Sequence, residues 1–565
     1  MLWNFASHES DEKMQRQTSG DAPWRRFYHE EAAALVDARP FPLSKLLDDA
    51  VAGHGDRPFL TYEGETLSYS EGAQLIGQLA AGLAELGIGK GDRVGYLGPA
   101  HPSFTLNCFA LWHLGAVHVG MNPLYSVARL AAQAADAGLS AILTLDDPAL
   151  LAKAAEAAAA LPRPIPVISA NARRCDPTAD SLVADAARGV KLRDLAGGSG
   201  SVERAAIDPG NDAAALQYTG GTTGTPKAAI LTHGNLAANV LQMASWFPQL
   251  EPGREVLLAA APPTHVVGVG PTQNFTTRFA GELVWMSRFE PNEALRLISE
   301  RKVSVLLAPP TMYIALLDVT AGTGFDWSNI RSAQCGASPV PLELKQRFQK
   351  ASGIWITTVY GMTETSPAAV YSSPHPEHAG ATGIPLPVTE VDIRSPADPT
   401  RRVPAGEAGE ICIRGPQVMK GYWQRPEETE SAFIDGFFRS GDIGSMSEDG
   451  VVTVLDRLKD MIIASGYNVY PADVENAILQ HPRVREVAVI GVPDRYRGET
   501  VKAIISLREG DLDLEELQRF LAGKLSPMEI PKQLEIVADI PKNENMKISK
   551  QALREREAAA RAEEA

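Results

Sequence analysis

The chain has 565 residues, 44% of them hydrophobic and 22% charged, proportions of a folded multi-domain protein that exclude a largely disordered, collagen-like or coiled-coil chain. Lys and Arg number 53 against 69 Asp and Glu, a net charge of −16, and the basic residues are interleaved with acids, so no nucleic-acid partner is expected. An anionic small molecule can still bind through a few aimed donors, because local geometry outweighs net charge at contact range.

In chain order, Leu75, Leu79, Leu83 and Leu86 recur at helical spacing from Ser70 to Leu86, with Gly87 in the place that a C-terminal cap prefers. Apolar runs at Arg93 to Leu97, Ala116 to Val119 and Ala141 to Leu145 alternate with helical stretches at Phe104 to Leu114 and near Ala128, the rhythm of parallel βαβ units. Gly197 to Ser201 reads GGSGS, a linker or surface loop. The rhythm resumes with helices at Glu293 to Arg301, Thr311 to Leu317 and Leu342 to Ala351 and strands at Val303 to Ala308 and Ile356 to Val359. From Glu390 to Val454 short runs separated by Gly and Pro, such as Glu410 to Arg414 and Val451 to Leu455, predict antiparallel strands. After Asp460 the pattern predicts a small α+β unit, with helices near Pro471 to Gln480 and Leu514 to Leu525, strands near Val487 to Gly491 and Val501 to Leu507, and a fraying helix from Arg554.

The four cysteines, Cys108, Cys175, Cys335 and Cys412, form no C-x-x-C pair, which fits a reducing, cytoplasmic compartment. The N-terminal MLWNFASHESDEKMQRQ lacks the apolar core of a secretory signal, and no run of about 18 apolar residues is present to span a membrane. Peripheral membrane contact stays open, without a strongly basic amphipathic helix to promote it. A monomer or homodimer is expected.

Tyr218 to Lys227, YTGGTTGTPK, reads as a phosphate-gripping loop between a short apolar run and a helical stretch. Glycines let backbone N–H groups approach phosphate oxygens, threonine hydroxyls add donors, and Lys227 adds charge. It is not a Walker loop, since Pro226 stands where that motif needs Gly. YGMTET, Tyr360 to Thr365, directly follows a strand, where open α/β sheets place ligands. There Tyr360 offers a ring to stack on a base, Thr363 a hydroxyl for a phosphate, and Glu364 a carboxylate for Mg²⁺. FRSGD at Phe438 to Asp442 and DRLKD at Asp456 to Asp460 add Asp442 as an acceptor for ribose hydroxyls and Arg457 as its partner. An H-x-x-H at His375 and His378 sits among prolines and is not read as a metal site.

Together and in this order, these segments, with GEICIRG at Gly409 to Gly415, DRLKDMIIASGYNVYP, and PKNENMKISK at Pro541 to Lys550, resemble the adenylate-forming superfamily of acyl-CoA synthetases, nonribosomal peptide adenylation domains and beetle luciferases. LQYTGGTTG, GPQVMKGYWQRPEET and SGYNVYPADVE look most like the bacterial long-chain fatty-acid CoA ligases. The resemblance implies an α/β fold: a large N-terminal domain, residues 1–458, of two βαβ-type sheet lobes plus a distorted antiparallel β-barrel, then a small mobile α+β domain, residues 459–565. It implies a two-step reaction in which a carboxylate attacks the α-phosphate of MgATP to give acyl-AMP and pyrophosphate, and the thiol of CoA then displaces AMP.

The resemblance also implies roles. Thr219, Gly220, Gly221, Thr222, Thr223, Gly224 and Lys227 would cradle the β- and γ-phosphates, and Gly336, Ala337 and Ser338 would line the adenine slot. Tyr360 would stack on adenine, with Gly361, Met362 and Thr363 beside it, and Asp442 and Arg457 would hold the ribose. Glu364 would be the Mg²⁺ ligand, and Lys547 would bridge carboxylate and α-phosphate. His265 matches the gate of the acyl pocket, Lys459 the hinge, and Gly466 the channel for the pantetheine of CoA. Around His265 the sequence is rich in Val, Phe and Gly, as a hydrophobic pocket for a medium- or long-chain acyl group requires. Departures from the family pattern are Met546 for the usual Gly, Lys550 for Arg, Ala228 for Gly and Gly220 for Ser. Loading a carrier protein, non-catalytic acyl or nucleotide binding, and luciferase-like oxidation are the rival readings.

Overall fold

The structure, a computed structural model, describes residues 22–178, 189–196, 202–219, 227–260, 262–336, 340–464, 467–494, 498–542 and 548–564. By packing, the chain forms two compact units: Met1–Val391 with Ile413–Phe438 and Asp449–Val451, and Asp392–Cys412 with Arg439–Glu448 and Val452–Ala565.

Two large sheets organise the first unit. In one, strands Ile356–Gly361, Ser332–Cys335, Val305–Ala308, Val256–Ala259, Glu282–Trp285 and Pro58–Tyr62 lie side by side in that order and run parallel. In the other, Ala213–Thr219, Val117–Met121, Arg93–Leu97, Ala141–Leu145, Val167–Ala170 and Gly189–Lys191 do the same. Central strands such as Val256–Ala259 and Val305–Ala308 are continuous apolar runs, as strands buried on both faces are. The expected helix near Ser70 is Tyr69–Glu85, started by a reciprocal capping box between Ser68 and Glu71 and followed by Gly87 at φ +84°. Pro102–Leu114 is buried on nearly every face and stops at Gly115, whose φ of +69° suits a left-handed cap.

One expectation changes at the phosphate loop. A strand, Lys227–Thr232, follows it, antiparallel to Ala213–Thr219, and the helix starts only at His233. Thr232 accepts from the Asn235 N–H and so caps that helix, while the AAILT run before it is apolar enough to be buried in the sheet.

A third sheet of five strands, with Phe437–Met446 antiparallel to Val452–Arg457, curls as a half barrel where the antiparallel barrel is expected. In the second unit, Gly498–Leu507 pairs with Val484–Asp494 over its length, and Gln533–Ile536 adds a parallel edge. Val487 and Val489 join Val474, Ile478, Leu517 and Leu521 in a core under two helices. Ala488 and Ile490, on the opposite face, meet Ile540 and Leu553. The last helix therefore begins at Lys550 and is anchored by Leu553, 1% exposed, rather than merely fraying; burying such a side chain contributes about 1.5–3 kcal/mol. The expected GGSGS loop lies outside the described residues.

Candidate active site

Thr219 and Lys227 face each other as the closing pair of the phosphate-loop hairpin, the Thr219 hydroxyl donating to the Lys227 carbonyl at 3.3 Å. Gly220, Gly221, Thr222, Thr223 and Gly224 lie outside the described residues. The short strand Gly421–Tyr422 pairs with Lys227–Thr232, setting Tyr422 opposite Ala229. The Lys227 ammonium sits 5.4 Å from the centre of the Tyr422 ring, a cation–π distance. On its other side the Tyr422 hydroxyl donates to Glu364 Oε1 at 2.9 Å. Burial first, and the Glu364 carboxylate second, push the phenol well above its ordinary pKa, so it remains a donor at neutral pH.

Glu364 is buried in a 3₁₀ turn, Thr363–Thr365, just beyond the strand Ile356–Gly361. The Met362 N–H donates to Thr365 Oγ1 at 3.0 Å, and the Glu364 carbonyl accepts from the Met419 N–H at 2.8 Å. Asn235 Nδ2 holds the Pro416 and Val418 carbonyls, each at 2.8 Å, which fixes the segment that delivers Tyr422. Gly361 cannot carry a side chain here, since a Cβ would run into the Pro367 carbonyl. Tyr360 stands opposite Val370, half-buried. On the neighbouring parallel strand Gly336 follows Cys335, and a Cβ on it would lie 2.9 Å from the Val359 carbonyl. Gly336 and Tyr360 thus sit at the carboxyl ends of adjacent strands, where α/β sheets bind ligands. Ala337 and Ser338 lie outside the described residues.

The His265 N–H donates to the Pro262 carbonyl at 3.1 Å, and its Nδ1 accepts from the Val267 N–H at 3.3 Å. Its neighbour Thr264 rests on the second sheet, its carbonyl accepting from Gln217 Nε2 at 2.5 Å. A π-helix, Gly268–Asn274, follows, and Gly270 packs so closely that a Cβ would lie 2.9 Å from the Ser366 carbonyl. The His265 segment and the Glu364 turn are therefore in backbone contact.

In the second unit Asp442 and Arg457 are register partners on antiparallel strands, joined by an ion pair of 2.8 Å. The carboxylate is buried while the guanidinium is largely exposed. Gly441, at φ +68°, turns the chain so that its N–H donates to Glu410 Oε1 at 3.2 Å, and Arg439 grips Oε2 of the same carboxylate at 2.7 Å. Lys459 is exposed at the surface, yet desolvation by the residues around it pulls its ammonium below the ordinary range against the opposing pull of Asp460. Gly466, Met546 and Lys547 lie outside the described residues. On either side of Lys547, the Ser549 N–H donates to the Pro541 carbonyl at 2.9 Å, Lys542 pairs with Glu486 at 2.6 Å, and Lys550 with Glu475 at 2.9 Å.

His375 and His378 pack edge-on against Phe27, and His378 Nδ1 lies 2.8 Å from Ser373 Oγ. Among the described residues no group of three or more His, Cys, Asp or Glu is arranged to hold a metal, and no helix is long and apolar enough to cross a membrane. Sequence reasoning assigned Tyr422 no role, although it stands in the quoted GYWQRPEET segment; its partner Glu364 is 58 residues away, beyond the reach of local spacing.

Residues 47–423 match the family model of AMP-binding enzymes, and residues 473–547 that of the AMP-binding enzyme C-terminal domain. A long-chain-fatty-acid–CoA ligase of Bacillus subtilis (strain 168) is 34% identical over 555 residues, covering 95% of this chain and 98% of its own. A feruloyl-CoA synthase of Amycolatopsis sp is 36% identical over 496 residues, 87% of this chain and 94% of its own. Among solved structures, ATP-bound MatB from Rhodopseudomonas palustris superposes with a TM-score of 0.80 at 30% identity, covering 92% of this chain and 99% of that one.

Proposed function

The chain belongs to the AMP-binding enzyme family and is an AMP-forming acyl-CoA synthetase, with ATP and CoA as substrates, and from that premise we propose that it activates a medium- or long-chain fatty acid or a similarly apolar carboxylate. The observation that carries the site assignment is the connected set Lys227, Tyr422 and Glu364, which brings a cation beside the phosphate loop and a buried carboxylate to one place.

In the first step a carboxylate oxygen of the acid forms a bond to the α-phosphorus of ATP, and the bond from that phosphorus to the bridging oxygen of pyrophosphate breaks. Thr219 and Lys227, with the loop between them, take the β- and γ-phosphates, and Gly336 and Tyr360 take the adenine. Asp442 takes the ribose hydroxyls, oriented by Arg457, and Lys547 offsets the charge that builds on the transferring phosphoryl group. Glu364 fits Mg²⁺, since a buried carboxylate oxygen is a hard donor of the kind this ion shares with phosphate oxygens. When bound there, the ion neutralises phosphate charge. In the second step the CoA sulfur bonds to the acyl carbon, the bond to AMP breaks, and the thiol proton passes to solvent. Lys459 serves as the hinge at the start of residues 459–565, and Gly466 leaves room for pantetheine.

The test is pyrophosphate release with MgATP across acids from acetate to oleate and a series of benzoates and cinnamates, with and without CoA. Release with apolar acids, and acyl-CoA formed only when CoA is present, is the expected result. Pyrophosphate release with no acyl-CoA would move the acceptor to a carrier protein, and no release with any acid would overturn the activity.

A further inference from the structure

Two segments that meet beside the phosphate loop are joined by one carboxylate outside it. Tyr218 is the residue before Thr219 on the strand that enters the loop, and its register partner across the hairpin is Ala228. Trp423 follows Tyr422, and its N–H donates to the Ala228 carbonyl at 2.8 Å. Tyr218 and the Tyr422 segment therefore flank the same strand, Lys227–Thr232, from opposite edges.

Asp136 links the two segments again through side chains. The Tyr218 hydroxyl donates to Asp136 Oδ2 at 2.6 Å, Arg425 Nη2 donates to Oδ1 at 2.6 Å, and the Trp423 indole N–H donates to the Asp136 backbone carbonyl at 3.1 Å. Both carboxylate oxygens are thus engaged, each by a donor from a different segment. Burial first, and this carboxylate next, raise the Tyr218 phenol above its ordinary range, so it stays a donor. The helix that carries Asp136, Val127–Ala137, is itself anchored to a central strand: Arg93 donates from Nε to the Ala137 carbonyl at 3.0 Å and from Nη2 to the Gly138 carbonyl at 2.6 Å. Gly138, at φ +61°, ends that helix two residues after Asp136. The helix dipole disfavours an anion in a last turn, so helix stability does not account for an acid here, and the two donors that it joins do.

We propose that Asp136 is a positioning residue for the adenylation step: it clamps the strand entering the phosphate loop to the segment that presents Tyr422, so that the Lys227 ammonium and the Glu364 carboxylate, which share Tyr422, keep a fixed spacing around the triphosphate. The proposal rests on the ligase reading and adds Asp136, Tyr218 and Arg425 to its machinery.

The experiment measures pyrophosphate release and, separately, thioester formation from supplied acyl-adenylate in Asp136→Ala, Tyr218→Phe, Arg425→Gln and the double variant of the last two. Each single variant should lower kcat/KM for MgATP by about tenfold and raise the Mg²⁺ needed for half-maximal rate, with the KM for the acid and the thioester step near wild type. The double variant should lose clearly less than the product of the two single losses, because either substitution alone opens the same clamp. Fully multiplicative losses would mean two independent contacts and overturn the proposal. A merely structural role lowers the melting temperature and weakens both half-reactions together, and that result overturns it as well, as does an unchanged kcat/KM for MgATP. Should Asp136→Ala fail to fold, Tyr218→Phe, which keeps the ring, and Arg425→Gln still decide. Wild-type protein that releases no pyrophosphate with any acid of the series would overturn the ligase reading instead.

Discussion

The Tyr422 hydroxyl donates to Glu364 at 2.9 Å while the Lys227 ammonium lies over the face of the same ring, so one phenol joins the end of the phosphate loop to the buried carboxylate. Two backbone features make this contact. Pairing of Gly421–Tyr422 with Lys227–Thr232 sets the ring, and the Met419 N–H on the Glu364 carbonyl sets the distance between the two segments.

Tyr422→Phe removes the hydroxyl and keeps the ring under Lys227. A hydrogen bond to a charged group is worth about 1.5–3 kcal/mol, so kcat/KM for MgATP should fall roughly tenfold to a hundredfold. More Mg²⁺ should be needed for half-maximal rate, while the KM for the acid stays as it was. A magnesium titration of pyrophosphate release checks this, and an unchanged titration would mean that the phenol only packs.

Gly361→Ala should be more damaging although it adds a single methyl group. Its Cβ meets backbone, the Pro367 carbonyl, which has no rotamer to move, and so the Thr363–Thr365 turn carrying Glu364 must shift. Loss of adenylation by about a hundredfold or more is expected, since a misplacement of about 1 Å costs that much in a positioned site. Circular dichroism near wild type together with normal adenylation would show that the turn tolerates the displacement.

Runs such as Arg93 to Leu97 and Ala141 to Leu145 are legible in the sequence because a strand buried on both faces is mostly apolar without alternation, and both strands start and end as read. Lys227–Thr232 is not, because a short apolar run before a capped helix looks like the first turn of that helix. Glu364 stands out by type beside a strand end, whereas Tyr422 depends on a pairing across the chain that no local pattern announces. The wholly buried His118 is hidden for a related reason: VHVGM reads as an apolar strand until its register shows which residues turn away from the core.

Acid should destabilise the protein in a window set by three buried histidines. Burial depresses His101 and His118 to about 3, and His233 to about 4, and all three are fully buried. In the unfolded chain each takes a proton near pH 6.5. Their contribution is therefore complete above pH 6.5 and is lost as pH falls toward 4, because only the unfolded chain binds those protons there. At pH 5 the loss is about 2 kcal/mol per group, about 6 kcal/mol in all, a large share of an ordinary folding free energy. Glu475, raised by burial against the pull of Lys550, offsets part of this as it protonates. Denaturant unfolding between pH 7 and 4.5 should show a slope approaching three protons per molecule, and a flat profile would rule out neutral burial of these rings.

Lys547→Ala should abolish acyl-adenylate formation and spare thioester formation from supplied acyl-adenylate. Its motif position and the residues that flank it support this role. Pro541 and Ser549 close the segment, and Lys542 and Lys550 are tied to Glu486 and Glu475, so removing one more side chain leaves that frame intact. Met546, in place of the family's usual Gly, narrows the backbone choices next to that lysine by disfavouring positive φ. Met546→Gly should consequently raise the adenylation rate, or leave it unchanged if positive φ is not required, and should not alter the second step. Single-turnover rates of pyrophosphate release and of thioester formation separate the two steps, and adenylation by Lys547→Ala at the wild-type rate would remove the role given to this lysine.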